Sequence, residues 1–210
     1  MTYLVITYIS VFSPLLPLIV GFRKRTSLLW FYALAGISFD IISLIVRAYN
    51  EHYHKSLNLS LAENIFLIFE FSLISLYYRD KVFKKNKLFL VLILLLILLY
   101  VLCNLSYYNL MFNFVGGTIF DFSCIIFAVI GLYSLIKKRE VVFLDKSPFF
   151  WVNIALLLYC TGNFLIFLFA EYLQEKDSDF LRYLWIFHNV LNILFSVLIA
   201  ISFLKRNNEE

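Results

Sequence analysis

The chain has 210 residues, of which 62% are hydrophobic, 20% aromatic and only 15% charged. A soluble globular protein is nearer half apolar and about a quarter charged, so this composition excludes an ordinary water-soluble domain and points to helices that are apolar nearly all round. The formal net charge of +4 is held in short basic clusters between apolar runs, which marks topology rather than a nucleic-acid surface, and no nucleic-acid partner is expected.

A membrane-spanning helix needs about 20 mostly apolar residues. Seven stretches qualify, 3–21, 28–49, 58–78, 88–106, 112–136, 149–170 and 181–204. The alternating segments of roughly ten residues that build a porin-type barrel are missing. The expectation is an all-α, polytopic membrane protein in which residues 1–210 form a single seven-transmembrane-helix bundle.

The first span contains "SPLLP", where Pro14 and Pro17 each remove a backbone donor and kink the helix. Without a basic n-region or a small-residue cleavage site, it reads as a retained helix rather than a secretory signal. The second span places Gly36, Asp40, Ser43 and Arg47 on one face. The third has Glu63, Glu70 and Tyr77 at heptad spacing with Asn64 beside them, whereas the fourth, "LFLVLILLLILLYVLCNL", is almost free of polar groups and is expected at the periphery. The fifth carries Asn113, Gly117, Asp121 and Cys124, the sixth Asn153, Cys160 and Asn163, and the seventh His188, Asn192 and Ser196 at i, i+4 and i+8. The linkers after spans one, three and five, with the C-terminal "KRNNEE", hold 14 of the 18 basic residues. Lys and Arg favour cytoplasmic loops, so the N-terminus is expected outside and the C-terminus in the cytoplasm, as in a bacterial inner membrane.

A carboxylate at midspan costs about 2.5–3.5 kcal/mol even on lenient scales. Asp40 and Glu70 fall near midspan, and Asp121, Glu63, Asn163, His188 and Asn189 toward the outer half. Arg47 can snorkel outward or pair with Asp40 two turns away, and too few cations lie at depth to balance four acids. Taking up protons or binding a cation would relieve the imbalance. Span asparagines and serines also serve plain helix–helix hydrogen bonding, worth about 0.6 kcal/mol each. The candidate ligand-binding set is Asp40, Glu63, Glu70, Asp121, Asn163, His188 and Asn192, facing a cavity open to the outside. The three cysteines fall inside apolar runs and imply neither a disulfide framework nor a metal site. His52 and His54 form an HxH pair in an outer loop, a solvated arrangement more often than a metal site. No metal or cofactor is expected.

Three function classes follow. The first is a receptor or sensor, which binds a small molecule or a lipid from the bilayer and signals through a separate cytoplasmic protein; retinal is excluded because the last span has no lysine for a Schiff base before Lys205. The second is an intramembrane lipid hydrolase. A zinc enzyme needing three intramembrane histidines is disfavoured, since only His188 lies in a span. "LAGISFDIISL" around Asp40 and "GGTIFDFSCII" around Asp121 do resemble the Asp-bearing helices of lysoplasmalogenase-type proteins, a likeness that implies Asp40, Asp121 and Glu70 as the catalytic groups. That family counts eight spans and carries a Lys-Pro element not found here. A small transporter ranks third, because seven spans do not divide into two equal repeats.

"AENIFLIFEFSLISLYYRD" (62–80), "FFWVNIALLLYCTGNFLIFLFAEYL" (149–173) and "LWIFHNVLNILFSVLIAISF" (184–203), together about a third of the chain, resemble segments of small seven-span membrane proteins of Bacteroidota. These occur alone or N-terminal to sensor histidine kinases. The resemblance implies a receptor-like module rather than an enzyme, with Glu63, Asn64, Glu70, Asn153, Asn163, His188 and Asn189 as its polar positions.

Overall fold

The structure is a computed structural model that describes residues 2–24, 27–53, 59–84, 86–105, 114–138, 144–176 and 178–205. His54 and Asn113, with the loop cations Arg25, Lys55, Lys85, Arg139 and Arg206, lie outside the described residues. Eight α-helices follow in order: α1 Thr2–Phe12, α2 Leu15–Val20, α3 Leu28–Tyr53, α4 Ser60–Lys81, α5 Lys87–Cys103, α6 Phe114–Lys138, α7 Pro148–Lys176 and α8 Ser178–Leu204. Short 3-10 turns at Phe22–Lys24 and Leu144–Lys146 precede α3 and α7.

Five of these helices, α3, α4, α6, α7 and α8, are long and apolar enough to cross a membrane. The other two expected spans are apolar but shorter, Val5–Val20 and Lys87–Cys103, about 24 and 26 Å at 1.5 Å per residue. The first is broken where the prolines stand. Pro14 has no N–H to give to the Ser10 carbonyl four residues back, and that oxygen accepts instead from the Ser13 amide at 3.1 Å and the Ser13 hydroxyl at 2.8 Å. The chain restarts as α2 without leaving a bare carbonyl in apolar surroundings, where such a group costs several kcal/mol.

Around the bundle, α1–α2, α3, α4, α6, α7 and α8 close a ring in which α8 packs against both α7 and α1–α2. Helix α5 lies outside it, with Leu88, Leu94, Leu99 and Leu102 facing outward, while Phe89, Ile93 and Tyr100 turn in. Asn86 caps its start by accepting from the Leu88 amide at 2.9 Å. Large apolar side chains such as Ile19, Ile45, Phe69, Ile136 and Leu165 are exposed around the circumference, on a surface matched to hydrocarbon rather than water.

The two ends of the bundle are packed differently. Toward the end carrying the α4–α5 and α6–α7 connections lies an aromatic core of Tyr78, Phe83, Phe89, Phe127 and Phe149, which continues past midspan. Phe71 stacks on Phe120 at 4.1 Å and Tyr100 on the same ring at 4.8 Å, with Phe127, Leu156 and Ile199 closing the layer. Gly131 brings α6 so near α7 that a Cβ there would stand 3.0 Å from Asn153 Cγ and 3.1 Å from Phe149 Cζ, the small-residue approach by which membrane helices pack. Toward the opposite end, nearest the α3–α4 and α7–α8 connections, the helices part around a cavity.

Candidate ligand cavity

The cavity has a volume of about 610 Å³ and is walled by α1, α2, α3, α4 and α8, with α6 and α7 adding aromatic rings. Helix α3 contributes the stripe expected from its sequence, Gly36, Asp40, Ser43 and Arg47, extended one turn back by Tyr32. From α4 come Glu63 and Glu70, and from α8 come His188, Asn189, Asn192 and Ser196. Phe39 and Phe66, stacked at 4.4 Å with planes 8° apart, form one aromatic wall.

The acids are held differently. Glu70 Oε1 accepts a hydrogen bond from the Tyr32 hydroxyl, which fixes its orientation at the inner end of the cavity. Asp40 and Glu63 accept no hydrogen bond from any described residue. Both feel the field of Arg47, but that guanidinium is exposed and closes no ion pair with either carboxylate among the described residues. With the acids ionised the wall carries three negative charges against one positive charge at its rim. Among the described residues no three His, Cys, Asp or Glu side chains are grouped closely enough to hold a metal ion.

Helix α8 is zipped to α1 along the cavity edge. Asn189 Nδ2 donates to Thr7 Oγ1 at 3.3 Å, Asn192 Nδ2 to Ser10 Oγ at 3.1 Å, and Ser196 Oγ meets Ser13 Oγ at 3.0 Å. Asn192 therefore lines the cavity while its amide is committed to α1. His188 is turned the other way by α7: its Nδ1 pairs with Asn163 Oδ1 at 2.8 Å, and its ring lies against Trp185 and Tyr159, with centroids 5.4 and 6.2 Å away.

Two residues of the expected set stand elsewhere. Asp121 does not line the main cavity; it is buried in a separate void of about 40 Å³ between α4, α6 and α7, beside Cys124 and Cys160. Helix α6 packs between α4 and α7, and the face carrying Asp121 and Cys124 turns into the void it shares with them. Asn163 faces the same void and meets the cavity wall through His188 and Tyr159. Glu70 and Tyr159 border both spaces, and Asp121 Oδ2 is buried with no protein hydrogen-bond partner. Asn64 and Asn153 take packing roles: Tyr100 donates to Asn64 Oδ1 at 2.6 Å and Tyr78 to Asn153 Oδ1 at 2.7 Å.

Sequence reasoning missed Tyr32, Tyr159 and the hydroxyls of α1. Tyr32 was visible one turn before Gly36 on the same face; Tyr159, Thr7 and Ser10 carried no periodic signal. Compared with known proteins, the chain matches no family model, no curated protein and no solved structure.

Proposed function

We propose that the chain is a receptor-like integral membrane protein of seven spans, with α1–α2 counted as one. Its N-terminus and cavity mouth face outward, its C-terminus lies in the cytoplasm of a bacterial inner membrane, and it binds a small molecule or lipid. Occupancy would pass to a separate cytoplasmic protein, in keeping with the resemblance to modules that precede histidine kinases.

The observation that carries this reading is the cavity. Its volume falls in the range of small-molecule sites, and its walls combine aromatic rings with a few convergent polar groups, the usual composition of such sites. Helix α8 borders the cavity, bonds α1 through Asn189 and Asn192 and packs along α7. A ligand that shifts α8 therefore has a route to the basic end of the bundle. Against the hydrolase alternative, Asp40 and Asp121 open into different spaces, and no hydroxyl or thiol hydrogen-bonds His188 to form a nucleophile–base pair.

The test is a lipid-turnover assay on purified protein, with Asp40→Asn and Asp121→Asn alongside, and mass spectrometry of molecules released on denaturation. A copurified small molecule or lipid that is lost in Asp40→Asn, without turnover, is expected. Turnover abolished by both substitutions refutes the receptor reading. Reporter fusions at the two termini check the orientation, and a C-terminal reporter active outside the cytoplasm overturns it.

A further inference from the structure

We infer that the cavity takes an organic cation, an amine or quaternary ammonium on an aromatic or aliphatic body, with its charged head between Glu70 and Asp40. This rests on the reading of the cavity as a ligand site and names the class of ligand.

Charge comes first. Asp40, Glu63 and Glu70 line one cavity, and among the described residues the one guanidinium lining it, Arg47, is exposed at the rim. Carboxylates withdrawn from water without a partner are costly, and a bound cation removes that cost while gaining from the weak screening inside the bundle. The groups already present do not supply it. Tyr32 satisfies one oxygen of Glu70, and no described residue donates to the other. Asp40 accepts no hydrogen bond from any described residue.

A second, independent observation points to the same spot. The inner end of the cavity is backed by a further acidic side chain, Asp121, whose Oδ2 no described residue hydrogen-bonds.

The walls set the rest of the ligand. The stacked pair Phe39–Phe66 and the rings of Tyr159 and Trp185 offer faces to a cation and area to an apolar body. A bare metal ion does not fit, because the acids are spread along the wall rather than converging. An anion meets a wall of its own sign.

The experiment uses three probes with one ring system and three head charges: tryptamine, the uncharged alcohol tryptophol, and indole-3-acetate. Each is titrated calorimetrically into the full chain in lipid nanodiscs, with empty nanodiscs subtracted. Tryptamine is expected to bind at least about tenfold more tightly than tryptophol, with no binding of the acetate, and Glu70→Gln should weaken tryptamine by about tenfold or more. Asp40→Asn, a near-isosteric change at a carboxylate that no described residue hydrogen-bonds, should do the same. Tryptophol binding as well as tryptamine, or both variants binding tryptamine like wild type, overturns the cation claim and leaves the ligand site standing. Binding by none of the three also overturns it. A Ser43→Cys variant then separates the two readings: labelling by a water-soluble maleimide above the wild-type background keeps a water-reachable ligand site, and no labelling removes both.

Discussion

Replacing Gly131 by alanine tests how closely α6 and α7 approach. The added Cβ would overlap Asn153 Oδ1 and stand 3.0 Å from Cγ of the same side chain. Asn153 has little freedom to yield: its Oδ1 accepts from Tyr78 at 2.7 Å, its Nδ2 donates to the Phe149 carbonyl at 2.5 Å, and the residue is fully buried. Relief requires breaking the Tyr78 bond, worth about 0.6–1.7 kcal/mol between membrane helices, or forcing the helices apart, for which overpacking costs about 1–3 kcal/mol. Gly131→Ala should therefore destabilise by about 1–3 kcal/mol, and Tyr78→Phe, which removes the hydrogen bond alone, by about 1 kcal/mol. Gly36→Ala is the control. Its Cβ would meet nothing nearer than Pro14 Cγ at 4.0 Å, and alanine is the better helix former, so that variant should match wild type or slightly exceed it. Unfolding by SDS titration in mixed micelles measures all three. Equal stability of the Gly131 and Gly36 variants would refute the close approach and the α6–α7 packing built on it.

Three further outcomes follow from single side chains. Asn192→Leu removes the amide that holds Ser10, and should loosen α1 by about 0.6–1.7 kcal/mol; a cysteine pair placed across α1 and α8 should then cross-link less completely. Tyr100→Phe deletes the 2.6 Å bond to Asn64 that ties peripheral α5 to α4, costing about 1 kcal/mol in the same SDS titration, with no effect on probe binding. Arg47→Gln removes the cavity's rim cation, which makes no ion pair; thermal unfolding should move little, whereas tryptamine should bind about threefold more tightly as the repulsion is lost.

The helical class and five of the spans were legible because a run of apolar residues long enough for a bilayer has few other uses. The break in the first span was legible too, since proline cannot complete the helix ladder wherever it sits. Stripes on a single helix were read correctly: Gly36, Asp40, Ser43 and Arg47 do share the cavity face. What periodicity does not encode is which neighbour a stripe meets. The stripe of α6 is as regular as that of α3, yet Asp121 on it ends in a separate void between α4, α6 and α7. Helix rotation and ring order are settled by packing, here by glycine contacts such as Gly131 on Asn153 and Gly117 on Phe167, whose Cδ2 would lie 3.0 Å from an added Cβ.

The asparagines show the same limit on a finer scale. Asn64, Asn153, Asn163, Asn189 and Asn192 all sit in apolar helices, and nothing in their spacing separates lining from packing. The partner decides. Asn64 and Asn153 each meet a tyrosine and are buried away from the cavity, whereas Asn189 and Asn192 bond α1 hydroxyls at the cavity edge and keep part of their surface on it. A hydrogen-bonded amide needs no further partner, while a carboxylate in the same setting still carries its charge. Of the polar groups that reach the cavity, the amides of Asn189 and Asn192 are tied to α1, and the acids Asp40, Glu63 and Glu70 are the ones left to meet the proposed cation.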